Sequence, residues 1–132
     1  RVLAATYFFL EFNGDKLEPK IIGNGIASNG NDMYSKEMKY LNEEVGFWES
    51  DVGYCEIYIY FGVIGLLGLF FWCYGVYDIK IEESYKYIKY YFLFLMVSMI
   101  CGGYWFENIY VVNILTYTLV KSNENIMNKI YV

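Results

Sequence analysis

The segment Ile57–Tyr77, IYIYFGVIGLLGLFFWCYGVY, decides the fold class because its 21 residues carry no charged side chain. Glu56 precedes this apolar run and Asp78 follows it. At about 1.5 Å per helical residue, the run covers roughly 30 Å, the thickness of one bilayer core. A buried helix in a soluble core is the alternative, but soluble helices of this length carry a polar stripe and this run has none. The segment therefore predicts a transmembrane helix.

The composition of the whole chain agrees with a membrane protein. With 132 residues the chain has room for one compact unit, and 57% of the residues are apolar, 22% are aromatic and 19% are charged. That is more apolar than an ordinary soluble domain of this size. The chain opens at Arg1 without a methionine and continues directly into the apolar stretch VLAATYFFL, which predicts a piece of a longer protein.

Charge and residue usage exclude several classes of function. Fifteen acidic residues against 10 basic ones give a net charge of −5, so no nucleic-acid partner is expected. The absence of histidine rules out Ser-His-Asp or Cys-His catalysis and a histidine-containing zinc site. Cys55, Cys73 and Cys101 lie far apart in or beside apolar runs, which is typical of buried thiols. No phosphate loop or metal-binding motif is present, and we expect no cofactor and no metal.

Two further apolar segments follow the first. The run YYFLFLMVSMICGGYWF at 90–106 reaches spanning length when extended to 87–105 with Lys89 snorkelling to the surface. The next run, IYVVNILTYTLV, is short for a span and carries Asn113, so 108–121 is either a short third span or an interfacial helix. Glycines at 102 and 103 suit a tight turn, and residues 87–121 are therefore predicted to form a helical hairpin.

Residues 13–53 are polar, acidic and rich in asparagine and glycine, as expected of a water-facing loop. The stretch after Pro19, IIGNGIASNGND, predicts an ordered turn or a mobile loop. Within the loop, one apolar face at helical spacing predicts a short amphipathic helix that lies on the membrane or on other helices: Tyr34, Met38, Leu41 and Val45. The opposite face holds Ser35, Lys36, Glu37, Lys39, Asn42 and Glu43.

The distribution of lysines predicts the orientation. The short loop at 78–89 carries three lysines in 12 residues, whereas 13–53 carries four lysines against eight acids. Loops rich in lysine and arginine face the cytoplasm, so the long loop is expected to face the periplasm or exterior. The predicted fold is thus all-α: an apolar N-terminal segment and an extracytoplasmic loop with a short amphipathic helix within 1–53, followed by two to three transmembrane helices and a tail within 54–132. The expected spans are 54–77 and 87–105, with 108–121 as the candidate third.

Two local features of the first span bear on function. Gly62, Gly65 and Gly68 recur every three residues, which favours a packing surface for another helix over a gating hinge. At the outer end of the span, Asp51 and Glu56 bracket the boundary between water and lipid, where partial desolvation raises the basicity of a carboxylate. The alternative is an ordinary helix start, with acids at the positive end of the helix dipole.

The chain resembles the C-terminal part of Wzy-type polysaccharide polymerases in three places: Arg1, the string IIGNGIASNGND and the string GFWESDVGYCEIYIYFGVIGLLG. The resemblance covers Arg1 to about Leu69. Members of that family show an arginine-bearing segment, an apolar-GxG turn, a large outer loop and a D-G-Y-like motif leading into a span. These elements fall on Arg1, on Gly23 to Gly25 and on Ser50 to Tyr54. Their order and spacing carry the resemblance, since each motif alone is loose.

The resemblance implies a glycosyltransferase of the bacterial inner membrane. Such an enzyme joins undecaprenyl-pyrophosphate-linked oligosaccharide repeats into O-antigen or capsule, and the related O-antigen ligases share its layout. Its expected partners are the lipid-linked oligosaccharide, membrane lipid and upstream transmembrane helices of the same protein. The expected substrate-binding residues are Arg1, Gly23, Asn24, Gly25 and Tyr54. Without histidine, a carboxylate is the natural base for the acceptor hydroxyl, with Asp51 as first candidate and Glu56 as second.

Two other functions are compatible with a membrane chain. A small non-enzymatic membrane subunit would pack through its glycine face and present its acidic loop to a partner. A transporter fragment would be expected to carry an ionisable residue deep within a span, and neither long uncharged run has one. The polymerase and the subunit therefore remain as the two hypotheses.

Overall fold

The structure, a computed structural model, describes residues 1–27, 32–102 and 109–130. All regular secondary structure in these ranges is helical, which confirms the predicted all-α class. In chain order the helices are α1 (Val2–Thr6), which continues into a π-helical turn (Tyr7–Glu11), α2 (Leu17–Ile22), α3 (Met33–Tyr40), which continues into a second π-helical turn (Leu41–Val45), α4 (Gly53–Asp78), α5 (Lys86–Ser98) and α6 (Ile109–Ile130). Short 3₁₀ turns, Glu49–Asp51 and Glu83–Tyr85, precede α4 and α5.

Helix α3 is the amphipathic helix expected in the long loop. The Asp32 side chain caps it by accepting a hydrogen bond from the Ser35 N–H at 3.0 Å, and hydrogen bonding from the Ser35 side chain and backbone lowers the pKa of the Asp32 carboxyl. Met38 and Leu41 are buried on the predicted face, but Val45 is 41% exposed. Since Leu41–Val45 form a wider π-helical turn, Val45 rotates off the stripe that a regular α-helix would continue.

Helix α4 contains the long apolar run but is not continuous. Gly62 has φ 65° and ψ −160°, which breaks the helix into a first half at 53–61 and a second half at 63–78. The first half is largely buried, whereas most side chains of the second half are exposed. The two halves of the predicted span therefore lie in different surroundings.

The first half of α4 lies at the centre of a small helical cluster. Segments α1, α2 and α3, with their π-helical turns, surround it. Apolar side chains from α1, α3 and their π-helical turns form the core together with two residues of α4: Ala4, Phe8, Met38, Leu41, Cys55 and Ile59. The described parts of the polar segment, 13–27 and 32–52, thus fold onto the beginning of α4, although most of their residues remain exposed.

The second half of α4 packs with α5 and α6. Their shared core consists of Val76, Ile88, Phe92, Leu95, Val112 and Leu119. The Glu82 N–H donates to the Ser122 hydroxyl at 3.3 Å, so α6 returns to the end at which α5 begins. Both helices contribute to the shared core, and the part of the predicted hairpin turn at 103–108 lies outside the described residues.

Both hairpin helices have different bounds from those expected. Helix α5 ends at Ser98, whose hydroxyl bonds to the Leu95 carbonyl at 2.8 Å, and a turn follows before the end of the predicted 87–105 span. Helix α6 continues through the polar residues beyond 121 to Ile130. Within the described ranges, α4 is the one helix long and apolar enough to cross a bilayer, with a mean hydropathy of 1.9 over its most apolar stretch.

Candidate site at the broken helix

The break in α4 leaves two backbone carbonyls without their helical hydrogen bonds, and the turn Gly23–Gly25 donates hydrogen bonds to both of them. In a continuous helix the Ile59 and Tyr60 carbonyls would accept hydrogen bonds from the N–H groups four residues later. Instead, the Asn24 N–H donates to the Ile59 carbonyl at 2.7 Å, and the Gly25 N–H donates to the Tyr60 carbonyl at 3.1 Å. The Asn24 side-chain amide adds a bond to the Ile59 carbonyl at 3.3 Å. The turn thus supplies the hydrogen-bond donors that α4 loses at the break.

Glycine is required on both sides of this contact. Gly23 has φ 83° and Gly62 has φ 65°, in the region that side chains other than glycine rarely adopt. A Cβ on Gly23 would overlap the Tyr60 carbonyl, and a Cβ on Gly62 would overlap the Ile21 carbonyl. The end of α2 and the break in α4 are therefore in direct backbone contact.

Polar side chains gather around this contact. The Asn24 amide donates to the Asn13 side-chain oxygen at 3.0 Å, and Asn13 is buried. The Tyr34 hydroxyl donates to the Gly25 carbonyl at 3.0 Å. Burial raises the pKa of Tyr34, and the nearby charges of Glu49 and Asp32 raise it further. The Tyr34 hydroxyl therefore stays protonated and acts as a donor.

Two carboxylates extend the polar cluster toward the start of α4. The Tyr60 hydroxyl donates to Glu49 Oε1 at 3.2 Å, while Glu49 Oε2 is buried with no hydrogen-bond partner among the described residues. Glu56, in the first turn of α4, is only 9% exposed. Both carboxylates lie within electrostatic reach of Tyr60. The site thus combines amides, phenol hydroxyls, the buried Glu56 and the partly buried Glu49 around the break in α4.

The bond between Tyr60 and Glu49 leads to a stability prediction. Tyr60→Phe removes the donor to a partly buried carboxylate, and we expect the free energy of unfolding to fall by about 1–3 kcal/mol. Thermal unfolding in detergent measures the change. Tyr74→Phe is the matched control because Tyr74 lies on the same helix and is 69% exposed. Equal melting temperatures for the two variants would contradict the structural role of this bond.

The structure brings some predicted site residues together. Gly23, Asn24 and Gly25 form the contact at the break, and Glu56 is buried in the same half of α4. Asp51 lies nearer the surface, in the half-exposed 3₁₀ turn before the helix. The N-cap position of α4 is Val52 and no side chain caps it, while Glu56 lies in the first turn, at the positive end of the helix dipole as the alternative expects.

Arg1 and Tyr54 lie apart from the break. The Arg1 guanidinium donates to the Cys101 carbonyl at 2.7 Å, and Arg1 lines a shallow cavity of about 410 Å³ together with Val52. The Tyr54 hydroxyl donates to the Met96 carbonyl at 2.8 Å, and the Tyr54 ring stacks on Phe70. Tyr54 therefore fastens α4 to α5, whereas the expected substrate-binding set placed it with the glycine turn.

The glycines of α4 also differ from the expected packing surface. Gly62 does permit a close backbone approach, but the approaching segment is the end of α2. A Cβ on Gly65 would meet Phe61 and Ile57 of the same helix, and Gly68 has open space. The three positions therefore do not form one contact surface.

Sequence reasoning missed four residues of the polar cluster: Asn13, Tyr34, Glu49 and Tyr60. Tyrosine within an apolar run looks like an ordinary membrane-facing residue, and an asparagine in a polar loop carries no distinguishing pattern. A usable signal existed in the pairing of a G-x-G turn with a glycine inside the span, since both ends of a backbone contact need glycine.

Within the described residues, no group of three or more His, Cys, Asp or Glu side chains is arranged to hold a metal ion. Comparisons with protein-family models, with curated proteins and with solved structures give no match to the chain.

Proposed function

We propose that the chain acts in a membrane glycosyltransferase of the Wzy polysaccharide-polymerase type, which transfers oligosaccharide from undecaprenyl pyrophosphate to a growing chain. The observation that carries the proposal is the break in α4 at Gly62, closed by the Gly23–Gly25 turn and flanked by the buried Glu56 and the partly buried Glu49. This proposal includes insertion of α4 in the bacterial inner membrane, with its Trp48 end facing the periplasm or exterior.

The surroundings of the break support membrane insertion. Gly62 lies five residues inside the apolar run. Non-helical backbone inside a bilayer is tolerated only where protein covers it and satisfies its polar groups. The buried first half of α4 and the hydrogen bonds from Asn24 and Gly25 meet both conditions. Membrane proteins use discontinuous helices of this kind to bind polar substrates.

The proposed reaction has simple requirements. The acceptor hydroxyl loses its proton to a carboxylate as its oxygen attacks the anomeric carbon of the donor sugar. The bond between that carbon and the pyrophosphate oxygen breaks, and undecaprenyl pyrophosphate leaves with the electron pair. The leaving group is already good, and cations are needed mainly to hold its charge, a task that suits an arginine fork.

Exposure assigns roles to the two candidate bases. Asp51 is half exposed at the outer mouth, where a water-borne acceptor can reach it. Glu56 is buried in the first turn of α4. We therefore assign Asp51 as the base and place Glu56 in the layer that positions the site, together with Glu49 and Tyr60. Arg1 is exposed and lines the same shallow cavity as Val52, the residue after Asp51. We therefore assign Arg1 as the cation that contacts the pyrophosphate.

Deletion of the protein in its native cells tests the proposed function. Loss of a polymerase leaves surface glycan or lipid-linked glycan with single repeats, because the repeats are made and exported but not joined. Electrophoresis of the extracted glycan gives the chain lengths, and complementation with the intact gene should restore long chains. Unchanged chain lengths after deletion would contradict a role in polymerisation.

A second candidate, the non-enzymatic membrane subunit, has one observation in its favour. Gly68 and Gly75 are seven residues apart on one side of α4, and a Cβ at either position would meet nothing within 4 Å. Phe71 and Tyr74 beside them are about 70% exposed. Small residues with open space permit close packing of another membrane helix. A stable complex with another membrane protein, combined with normal glycan lengths after deletion, would favour this function.

A further inference from the structure

A cavity of about 730 Å³ lies between the C-terminal end of α4 and the start of α5. Its charged lining residues are Asp78, Lys80, Lys86 and Lys89. Three positive charges against one negative charge make this cavity cationic, in contrast to the acidic outer mouth.

The three lysines are held differently. Lys89 Nζ donates to the Tyr77 carbonyl and lies 5.5 Å from the centre of the Tyr77 ring, so its position is fixed. Lys86 pairs with Glu83 at 2.5 Å, but both side chains are more than half exposed, and such surface pairs contribute little. Lys80 forms no salt bridge within the described residues. Lys80 and Lys86 are therefore able to contact an anionic ligand.

The direction of α5 adds to the positive potential. This 13-residue helix begins at Lys86, so the positive end of its dipole lies beside the lysines. Glu83 is 84% exposed and does not line the cavity. Asp78 inside the cavity and Glu83, which is bonded to Lys86 at 2.5 Å, therefore oppose an anion, against three lysines and the positive end of the α5 dipole.

An apolar cavity of about 400 Å³ continues from the cationic one and shares Tyr77, Lys89 and Leu93 with it. Its walls include Phe70 and, through the stacked ring of Tyr54, a residue from the beginning of α4. Phe92 and Met96 of α5 form the other side. A cationic head site thus adjoins an apolar groove between α4 and α5.

We propose that this pair of cavities binds an anionic glycerophospholipid. Its phosphate contacts Lys80 and Lys86, and one acyl chain lies in the groove between α4 and α5. Basic pockets between membrane helices on the cytoplasmic side favour anionic headgroups, and the lysines here lie on the side predicted to be cytoplasmic. The inference rests on the membrane insertion included in the proposed function.

Native mass spectrometry of the protein in a nonionic detergent tests the site, with phosphatidylglycerol and phosphatidylcholine as the two probes. We expect phosphatidylglycerol to be retained preferentially. The double variant K80Q/K86Q should weaken its binding about 25-fold, or about fivefold for each lysine. The matched control is K36Q/K39Q, which removes two exposed lysines from α3 and should leave binding unchanged.

Three outcomes would overturn the lipid site: equal retention of the two lipids, equal losses in the two double variants, or inorganic phosphate binding as tightly as phosphatidylglycerol. Solubility of the purified protein without detergent would overturn membrane insertion and the lipid site together. A protein that needs detergent but does not prefer the anionic lipid would contradict the lipid site alone.

Discussion

Replacing Gly62 with alanine is expected to lower the free energy of unfolding by about 3 kcal/mol or more. Gly62 has φ 65° and ψ −160°, a conformation that costs a residue with a side chain about 1–3 kcal/mol. The new Cβ would also overlap the Ile21 carbonyl and approach the Gly23 N–H. Relief of that overlap would separate α2 from α4 and break the hydrogen bonds of the Gly23–Gly25 turn.

Gly68→Ala is the matched control for this prediction. Gly68 lies on the same helix and has regular helical geometry, and a Cβ at this position would meet nothing within 4 Å. Alanine there should be neutral or stabilise the protein by about 0.5–1 kcal/mol. Thermal unfolding in detergent, followed by circular dichroism, compares the two variants. A Gly62→Ala protein as stable as the Gly68→Ala protein would indicate that α4 is continuous through residue 62.

The second large effect is expected for Asp51→Asn. An amide cannot accept the proton of the acceptor hydroxyl, and loss of a general base slows such a reaction about 10²–10⁴-fold. In native cells the glycan should therefore shift from long chains to single repeats. Asp51 is half exposed and does not cap α4, so the melting temperature should stay within a degree or two of the wild type.

Two comparisons make the Asp51 experiment specific. Ser50→Ala alters the exposed neighbouring residue and should leave glycan length unchanged. Glu56→Gln changes a buried carboxylate and should affect stability as well as glycan length. Glycan chains of normal length in the Asp51→Asn cells would contradict a role of Asp51 in the reaction. If the glycan chains were short in the Glu56→Gln cells and normal in the Asp51→Asn cells, Glu56 would be the base.

The parts of the fold that depend on local pattern could be predicted from the sequence. The uncharged run at 57–77 lies within α4, and the spacing of Met38 and Leu41 placed both on the buried face of α3. Composition and period determine such features, since they depend only on neighbours in the sequence. Helix ends were less predictable: α5 stops at Ser98, where a hydroxyl bond and a turn replace the expected extension.

The break in α4 could not be predicted because it depends on a contact between distant segments. Gly62 in an apolar run is compatible with a regular helix, and only the docked turn about forty residues earlier supplies the donors that make the break tolerable. The same limit applies to Glu49 and Tyr60, which meet through the 3₁₀ turn before α4. Arg1 and Tyr54 were assigned from motif order alone, and their contacts lie with Cys101 and Met96 instead.

Cysteine labelling at the two ends of α4 tests membrane insertion most directly. Ser50 and Ser84 are both exposed and lie just outside opposite ends of the helix, so S50C and S84C form a matched pair. Each is made in a Cys101→Ser background, because Cys101 is the exposed native thiol. With a membrane-impermeant maleimide, S50C should be labelled in cells with an intact inner membrane, and S84C only after that membrane is permeabilised. Labelling of both positions from the same side would contradict a membrane-spanning α4.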